Sequence, residues 1–302
     1  MNTVTLYLMT IKGFEVLSAL ISSGYQSHIS AVIYGKDMNI ENDYSREIIN
    51  ACQKSKINCY KRTSVFKVTS QYSIAVSWRW MIKEANSKLI VFHDSLLPKY
   101  RGFAPLVNTL ISGNNKIGVS AIYASSEYDK GEVISQLHRS ITYPIKIGEA
   151  IGLITPLYVE LAQHIIGKLA SDEDLKSTVQ VEKEATYSLW RDELDYLIDW
   201  NSNSRNILNF INALSSPYKG ASTFVDGFAM IRIIDAVTVD DVVIENRCQQ
   251  VGKQIFVQDD LPVIVCGEGL LKITKAIKED TGESAIPFSN FRIRLSNRRT
   301  LR

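Results

Sequence analysis

The chain has 302 residues, which is long enough for two domains or for one large one. Its 45% hydrophobic and 22% charged residues are the mix of an ordinary globular protein, and a net charge of +2 gives no general indication of nucleic-acid binding. No apolar run reaches the roughly 20 residues of a membrane span, so the sequence predicts no membrane association.

Residues 1–30 lack the basic start, apolar core and cleavage site of a signal peptide, so we expect none. The four cysteines, Cys52, Cys59, Cys248 and Cys266, do not have the spacing of metal ligands. We interpret them as reduced thiols and expect no bound metal. Together these features predict a cytoplasmic protein.

Apolar strands and helical segments alternate through the first part of the chain. Strands are predicted at 3–9, 28–34, 74–77, 89–92, 118–124 and 132–141, and helices at 14–22, 42–54, 80–85, from about 105, and at 146–169. This alternation predicts an α/β fold with a doubly wound, mostly parallel sheet. No G-x-G-x-x-G follows the first strand, so the dinucleotide-binding fingerprint is absent.

A short polar segment, Thr10 to Gly13, follows the first strand. Lys12 and the backbone N–H groups near Gly13, at the start of a helix, are candidates for holding a phosphate. The alternative is that Gly13 only permits a tight turn and that Lys12 is solvated. The residues alone favour neither interpretation.

The stretch with the most chemistry runs from Val91 to Gly131. It begins FHDSLLPKYRGFAP after a strand, and it ends EYDKG after the next one. Sites in open α/β sheets form at the carboxyl ends of strands, so His93 and Asp129 are predicted to share one crevice. A carboxylate beside an imidazole fixes its tautomer and favours its cationic form, which suits a general base. The alternative is a structural histidine and an aspartate that only forms a turn.

This composite string resembles the formyltransferases that use 10-formyltetrahydrofolate. Their pattern is Asn-x-His, Ser-Leu-Leu-Pro-x-Tyr-Arg-Gly, a helix, a strand and Asp-x-Gly, and it is matched by His93 and by residues 95–98, 100–102 and 129–131. The resemblance implies that 10-formyltetrahydrofolate is the formyl donor. It also implies that His93 takes a proton from the acceptor amine or stabilises the oxyanion, and that Asp129 orients His93.

One position departs from the family pattern. Two residues before His93 the family has an asparagine whose amide helps to hold the oxyanion, and this chain has Val91. Losing such a donor typically costs about 100- to 1000-fold in rate. Ser77, Ser126 or a backbone N–H of the 92–94 turn are candidate replacements. Otherwise the chemistry is slower, or the chain only binds its ligands.

The resemblance also implies a folate pocket near the ends of two strands. A pterin needs flat apolar walls and backbone polar contacts, and the two tryptophans at 78 and 80 can supply walls or be ordinary core residues. The predicted folate-binding residues are Ser77, Trp78, Arg79, Trp80, Leu97, Ser125, Ser126, Tyr128 and Asp129.

Residues 171–185 are polar and charged, and we interpret them as a surface connection between a catalytic domain, 1–186, and a second domain, 187–302. In the second domain a helix at 203–214 precedes short strands at 222–225, 229–237, 254–257, 263–266 and 270–277. These strands predict a small β-rich, OB-like barrel or half-barrel. The layout resembles the C-terminal domain shared by methionyl-tRNA formyltransferases and sugar-nucleotide N-formyltransferases.

The formyl acceptor is the open question. A tRNA-binding enzyme should show a basic face, yet residues 187–302 hold 14 Lys and Arg against 15 Asp and Glu, a net charge near −1. This balance favours a compact nucleotide-linked (UDP or dTDP) amino sugar, although four arginines between 292 and 299 can form a local basic patch. The predicted substrate-binding residues are Thr10, Lys12, Gly13, Lys99, Arg101, Gly102, Trp190 and Arg191.

Within the family, the Phe-His-Asp-Ser sequence and SLWRDELDYLIDW (188–200) are similar to enzymes of pseudaminic-acid type pathways. The main hypothesis is therefore a sugar-nucleotide N-formyltransferase that acts as a homodimer without nucleic acid. The alternatives are a methionyl-tRNA formyltransferase and a folate- or nucleotide-sugar-binding homologue that has lost catalysis.

Overall fold

The structure is a computed structural model that describes residues 2–38, 40, 42–82 and 87–299. Contacts divide the chain into two compact units. The first comprises Met1–Leu106, Lys116–Ser140 and Ile151–Leu189, and the second comprises Val107–Asn115, Ile141–Ala150 and Trp190–Arg302. The domain boundary expected at residue 187 stays a prediction.

A seven-stranded sheet forms the centre of the first unit. The strands of this unit are β1 (Val4–Leu8), β2 (Ile29–Tyr34), β3 (Cys59–Lys61), β4 (Tyr72–Val76), β5 (Lys88–His93), β6 (Arg101–Gly102), β7 (Lys116–Tyr123), β8 (Val133–Ser140) and β9 (Tyr187–Ser188). The sheet has the order β3-β2-β1-β4-β5-β7-β8. The first five strands are parallel to one another, β7 runs antiparallel to β5, and β8 runs antiparallel to β7. The predicted mostly parallel α/β fold is therefore confirmed.

Helices alternate with these strands along the chain. They are α1 (Thr10–Ser22), α2 (Ser45–Lys54), α3 (Pro105–Ile111) and α4 (Ile147–Ala170), with short 3-10 turns at Tyr25–His28 and Glu182–Glu184. Strand β1 is buried along its whole length, and Ile74 and Ile90 in the neighbouring strands have no exposed surface. Parallel strands that are covered on both faces need such continuous apolar runs, which is why these segments were recognisable in the sequence.

Two helix predictions need correction. Helix α1 begins at Thr10 rather than at residue 14, and the N–H of Gly13 already donates to the carbonyl of Met9 at 3.0 Å. The predicted helix at 80–85 is wrong for Trp80, Met81 and Ile82, which are not helical, and its other residues lie outside the described part. The apolar spacing there comes from side chains that pack on the sheet, since Ile82 contacts the cluster around Tyr7.

The position of β7 differs from the sequence expectation. It runs antiparallel to β5, with Ser120 opposite His93 and Tyr123 opposite Ile90. Its carboxyl end therefore lies beside the beginning of β5 and not at the sheet edge where His93 lies. The loop after Tyr123 has to return towards that edge before it can bring Asp129 to the histidine.

Helix α4 is as long as the helix predicted at 146–169 and is shifted from it by one residue. It has 24 residues, and its 18-residue window of mean hydropathy 1.3 meets the length and composition of a membrane span. Half of that window is buried inside the protein, however. Ile154, Leu161 and Ile165 have no exposed surface, so the apolar residues of α4 contribute to a protein core.

The second unit is built on an antiparallel sheet with the order β12-β13-β14-β11-β10-β15. Its strands are β10 (Ala221–Val225), β11 (Ala229–Val239), β12 (Gln254–Gln258), β13 (Leu261–Val265), β14 (Leu270–Lys278) and β15 (Leu295–Ser296), and its further helices are α5 (Ser204–Ala213), α6 (Arg247–Gln250) and a 3-10 turn at Leu194–Tyr196. Asn203 caps α5, because its side chain accepts a hydrogen bond from the N–H of Asn206. A bridge between Lys253 and Arg294 joins the two edges of the sheet, as the barrel prediction requires.

The segment at 171–185 is more than a surface connection. Thr178 forms an antiparallel bridge with Val133, and Leu175 is buried. Beyond it, β9 pairs in parallel with β6, so that Arg101 lies opposite Tyr187 and Gly102 opposite Ser188. Gly102 has a φ of +100°, and a Cβ there would lie 2.4 Å from the carbonyl oxygen of Ser188, so only glycine fits.

Candidate active site

His93 is the last residue of β5 and is buried. Its Nε2 lies 2.8 Å from the carbonyl oxygen of Tyr100. A carbonyl oxygen only accepts hydrogen bonds, so Nε2 carries the hydrogen, and in the neutral ring Nδ1 is left with a free lone pair. The geometry therefore makes Nδ1 the basic atom of this side chain.

Asp129 faces that basic atom. Its Oδ1 lies 3.6 Å from Nδ1 of His93, and its Oδ2 accepts a 2.8 Å hydrogen bond from the N–H of Gly102. Two residues later, a Cβ on Gly131 would lie 1.6 Å from the carbonyl oxygen of Tyr123. This close approach explains the glycine of the Asp-x-Gly motif. The structure thus brings the two predicted catalytic side chains together, with the carboxylate placed to stabilise an imidazolium.

The backbone around this pair is strained at several points. Five non-glycine residues of the first unit that follow strand ends or flank the motif have positive φ, namely Thr10 (60°), Ser77 (53°), Tyr100 (58°), Ala104 (46°) and Asp129 (56°). Such conformations are uncommon, especially for a β-branched threonine, and they concentrate at functional sites.

Two polar residues that sequence reasoning missed anchor the loop after His93. The hydroxyl of Ser120 in β7 donates to the carbonyl of Ser95 and accepts from the N–H of Leu97 at 3.1 Å. Gln136 in β8 donates to the carbonyl of Leu97 at 2.9 Å and to the Ser120 hydroxyl at 2.7 Å. Their positions in predicted strands gave no signal for this role, because the contact depends on the antiparallel order β5-β7-β8.

Lys12 does not present a free cation. Its Nζ lies 2.5 Å from Oδ2 of Asp94, and the Tyr158 hydroxyl donates to the other carboxylate oxygen. Burial raises the pKa of Asp94, but the charge and hydrogen bond of Lys12 and the hydrogen bond of Tyr158 outweigh it, so the pKa lies below its ordinary value. Burial and the charge of Asp94 raise the pKa of Tyr158 well above its ordinary value. The phosphate role of Lys12 stays a prediction, and this pairing does not favour it.

Arg101 is also occupied by contacts within the protein. It is 1% exposed, and its guanidinium donates to the side chains of Gln180, Glu182 and Tyr187. Burial lowers the pKa of Arg101, but the hydrogen bonds and charge of its partners raise it above its ordinary value. Its role in substrate binding stays a prediction, and Lys99, which is exposed, is the freer of the two cations.

Three buried polar atoms near the ends of β1 and β4 have no hydrogen-bond partner among the described residues. They are Oγ1 of Thr10, Oγ of Ser77 and Nε1 of Trp78. Buried polar atoms are nearly always paired, so these three indicate a place where a polar ligand is missing or where strain is stored. In the parallel register Val76 lies opposite Phe92, so Ser77 comes next to the end of β5 where His93 lies.

The tryptophans pack partly as core residues. The Trp78 ring lies 5.2 Å from the rings of both Tyr7 and Trp80, in edge-on arrangements. The guanidinium of Arg62 lies 4.2 Å above the Trp80 ring, and Arg79 pairs with the buried Asp37. Leu97 is buried under its loop. The folate roles of these residues stay predictions.

An exposed aromatic pair lies close in sequence to the predicted catalytic residues. Phe103, which follows Gly102, is 45% exposed, and Tyr128, which precedes Asp129, is 65% exposed. Their ring centroids are 6.3 Å apart. Ser125 and Ser126 are exposed in the same loop as Tyr128, so the predicted ligand-contacting residues of this loop are accessible.

Trp190 and Arg191 belong to the second unit. Trp190 is 63% exposed. Arg191 donates to Oδ1 of Asn108 at 2.5 Å and to the carbonyl of Asp195 at 3.2 Å, and burial lowers its pKa. Their roles in substrate binding stay predictions.

Comparison with known proteins identifies the class. Residues 66–146 match the family model described as formyl transferase, and residues 192–289 match the model of the formyl transferase C-terminal domain. The two matches together cover more than half of the chain. The chain therefore belongs to the formyltransferase family and has both its N-terminal and its C-terminal domain.

The chain is similar to methionyl-tRNA formyltransferases in sequence. It is 27% identical to the methionyl-tRNA formyltransferase of Syntrophomonas wolfei over 199 residues, which are 66% of this chain and 61% of that protein. A relative from Ralstonia nicotianae is also 27% identical, with 67% and 60% covered. The chain thus spans about three fifths of the length of the curated relatives that it matches.

Solved structures show the same fold. The sugar 3N-formyl transferase WlaRD, crystallised with dTDP and 5-N-formyl-THF, has a TM-score of 0.67 at 17% identity, with 91% of this chain and 99% of that chain covered. The N-formyltransferase of Helicobacter canadensis, in complex with folinic acid and dTDP-3-aminofucose, has a TM-score of 0.67 at 14% identity, with 90% and 99% covered.

Proposed function

We propose that this protein is an N-formyltransferase that transfers a formyl group from 10-formyltetrahydrofolate to the primary amine of a nucleotide-linked amino sugar. The observation that carries formyl transfer is the contact of His93 with Asp129 inside the family's composite motif. A basic nitrogen that faces a carboxylate at the edge of an open sheet is suited to accept a proton from an amine.

The first unit offers residues that fit a folate. The unpartnered atoms of Thr10, Ser77 and Trp78 lie near the ends of two adjacent strands, where polar groups of a bound formyl-folate can satisfy them. Ser77, Trp78, Ser126 and Tyr128 would hold the folate. When bound, 10-formyltetrahydrofolate supplies the activated formyl carbon.

In this mechanism the protein moves one proton from the acceptor amine to the folate. Nδ1 of His93 takes a proton from the amine nitrogen as the new bond to the formyl carbon forms. Asp129 then stabilises the imidazolium, because the new Nδ1–H points towards its Oδ1. The imidazolium returns the proton to the departing folate nitrogen as the old bond breaks, so the ring is restored and tetrahydrofolate leaves.

The charge of the second unit supports a sugar acceptor. Six of the cations in its described residues are already in ion pairs, namely Lys146, Lys219, Arg232, Arg247, Lys272 and Lys278. Cations held in ion pairs are less available to the phosphates of a tRNA backbone, on which its binding depends. The similarity to methionyl-tRNA formyltransferases in sequence keeps tRNA as the second candidate acceptor.

An acceptor assay tests this proposal. Purified protein is mixed with 10-formyltetrahydrofolate and, separately, with UDP- and dTDP-linked amino sugars and with charged initiator tRNA. We expect a formamido sugar nucleotide and free tetrahydrofolate. Formylation of the tRNA alone would contradict the sugar proposal, and folate binding without transfer to any acceptor would support a homologue that has lost catalysis.

A pair of substitutions tests which group replaces the missing asparagine. We expect Ser77→Ala to lower kcat by about 100-fold, since its buried hydroxyl is the best placed substitute donor for the charge that develops on the formyl oxygen. We expect Val91→Asn to give no large gain, because Val91 packs against the cluster of Tyr7, Ile33 and Ala75. Both effects are read from steady-state kinetics with the accepted sugar nucleotide.

The opposite pattern would contradict this assignment. A rise in kcat of about 100-fold or more in Val91→Asn is the size expected for one oxyanion contact. It would mean that this contact is missing from the natural chain. If Ser77→Ala leaves kcat unchanged, the donor is another group. Ser73→Ala is the control, because this buried serine lies in β4, the strand just before Ser77, and shares a hydrogen bond with Ser87 instead of facing the site.

A further inference from the structure

We infer that Gln180 is a positioning residue for Asp129, supplied by the segment between the two family matches. This inference rests on the proposed function. Gln180 lies outside residues 66–146 and 192–289, so neither match assigns it a role. Its place in the chain, 51 residues after Asp129, gave no signal in the sequence.

The amide of Gln180 holds the turn that carries Asp129. Its Nε2 donates to the carbonyl of Asp129 at 2.7 Å and to the carbonyl of Gly131 at 2.7 Å. Both protons of the amide are therefore used on one turn, on either side of Lys130. Because Asp129 has a φ of 56°, its backbone is in an unfavourable conformation that needs such external contacts to persist.

The other end of the same amide is fixed by Arg101. Oε1 of Gln180 accepts from Nε of Arg101 at 3.1 Å and from Nη2 at 2.9 Å. A guanidinium is a rigid fork, so these two contacts define the orientation of the amide and exclude its flipped form. Arg101 is 1% exposed, so this support lies inside the protein.

The chain of contacts closes on the carboxylate itself. Arg101 is followed by Gly102, whose N–H donates to Oδ2 of Asp129. Arg101, Gln180 and Gly102 thus hold Asp129 from its backbone and from its side chain. The other carboxylate oxygen, Oδ1, is left to face His93. A misplacement of about 1 Å at such a contact can lower the rate about 100-fold.

Glu182 is the alternative candidate, and its exposure argues against it. It accepts from Nη1 of Arg101 at 2.8 Å, but its side chain is 65% exposed. Solvent therefore screens the carboxylate of Glu182, although its partner Arg101 is buried. Glu182 also makes no contact with the Asp129 turn in the described residues beyond a 3.8 Å approach to Lys130.

The test is Gln180→Glu, with Glu182→Gln as the matched control. Glutamate keeps the acceptor for Arg101 but places an oxygen against the carbonyls of Asp129 and Gly131. We expect kcat to fall by about 10- to 100-fold, with KM for both substrates changed less than about 3-fold. We also expect faster hydrogen exchange of the Gly102 amide, which the Asp129 carboxylate protects. The control should change neither quantity.

The exchange measurement separates this inference from the proposed function. If kcat and Gly102 protection stay at their natural values, Gln180 does not position Asp129 and the inference fails. If Gln180→Glu lowers only the melting temperature, its role is structural and the inference also fails. If the natural protein formylates nothing, the proposed function fails, and Gly102 protection alone decides the inference. Should Gln180→Glu not fold, Gln180→Asn, which shortens the reach by one methylene, is judged by the same measurements.

Discussion

We expect His93→Asn to lower kcat for formyl transfer by about 100- to 10,000-fold, the range that general acid–base groups contribute. An asparagine amide cannot take a proton, and it is too short to keep the contact that Nε2 of His93 makes with the carbonyl of Tyr100 at 2.8 Å. Steady-state kinetics with the accepted sugar nucleotide measure the loss. Folate affinity should change little, because His93 acts on the transferred proton.

The control is His164→Asn, since His164 is exposed on α4 in the same unit. Asp129→Asn should also lower kcat, because the amide can still accept from Gly102 but carries no charge to stabilise an imidazolium. An His93 variant with near-natural kcat would contradict the mechanism outright. A large loss in the His164 variant would instead mean that the assay reports protein quality.

The second large effect concerns stability. We expect Lys12→Met to lower the free energy of unfolding by about 3–5 kcal/mol, because it leaves the largely buried Asp94 without its counter-charge. The double variant Lys12→Met/Asp94→Asn should recover much of that loss. Chemical denaturation at pH 7 measures all three proteins. Lys278→Met is the control, since its ion pair with Glu283 is exposed and contributes at most about 1 kcal/mol.

The same pair predicts a pH dependence. The pKa of Asp94 is lowered in the folded protein, so its contribution is present above the ordinary carboxyl value of about 3.9 and is lost as the pH falls through the lower folded value. The natural protein should therefore lose stability below about pH 4 more steeply than the double variant. Equal acid sensitivity of the two proteins would show that this carboxylate contributes nothing to acid unfolding.

The strands were predictable because their physical signal is local. Apolar runs such as those of β1 and β5 are needed by any parallel strand that is covered on both faces, whatever its neighbours are. The sequence correctly predicted that His93 and Asp129 lie together, but the predicted arrangement of their strands was wrong. The sequence suggested two strand ends at one edge, whereas β7 is antiparallel and its loop returns to the histidine.

The partners of charged residues were not predictable in the same way. Lys12 is a candidate for holding a phosphate and Arg101 a predicted substrate-binding residue, whereas the structure pairs Lys12 with Asp94 and Arg101 with Gln180 and Glu182. The sequence around a charged residue does not show whether its partner is a ligand or another side chain. In these two cases the partner lies 79 to 82 residues away in the chain.

The short parallel ladder between β6 and β9 has a practical consequence for dissecting the molecule. The N–H of Arg101 donates to the carbonyl of Thr186, and that of Phe103 to the carbonyl of Ser188, each at 2.9 Å. A recombinant fragment that stops at residue 186 would delete β9 and expose main-chain groups next to the histidine loop. A free-standing N-terminal half therefore has to extend past Leu189. Proteolytic cleavage just before β9 should likewise loosen the loop that follows His93.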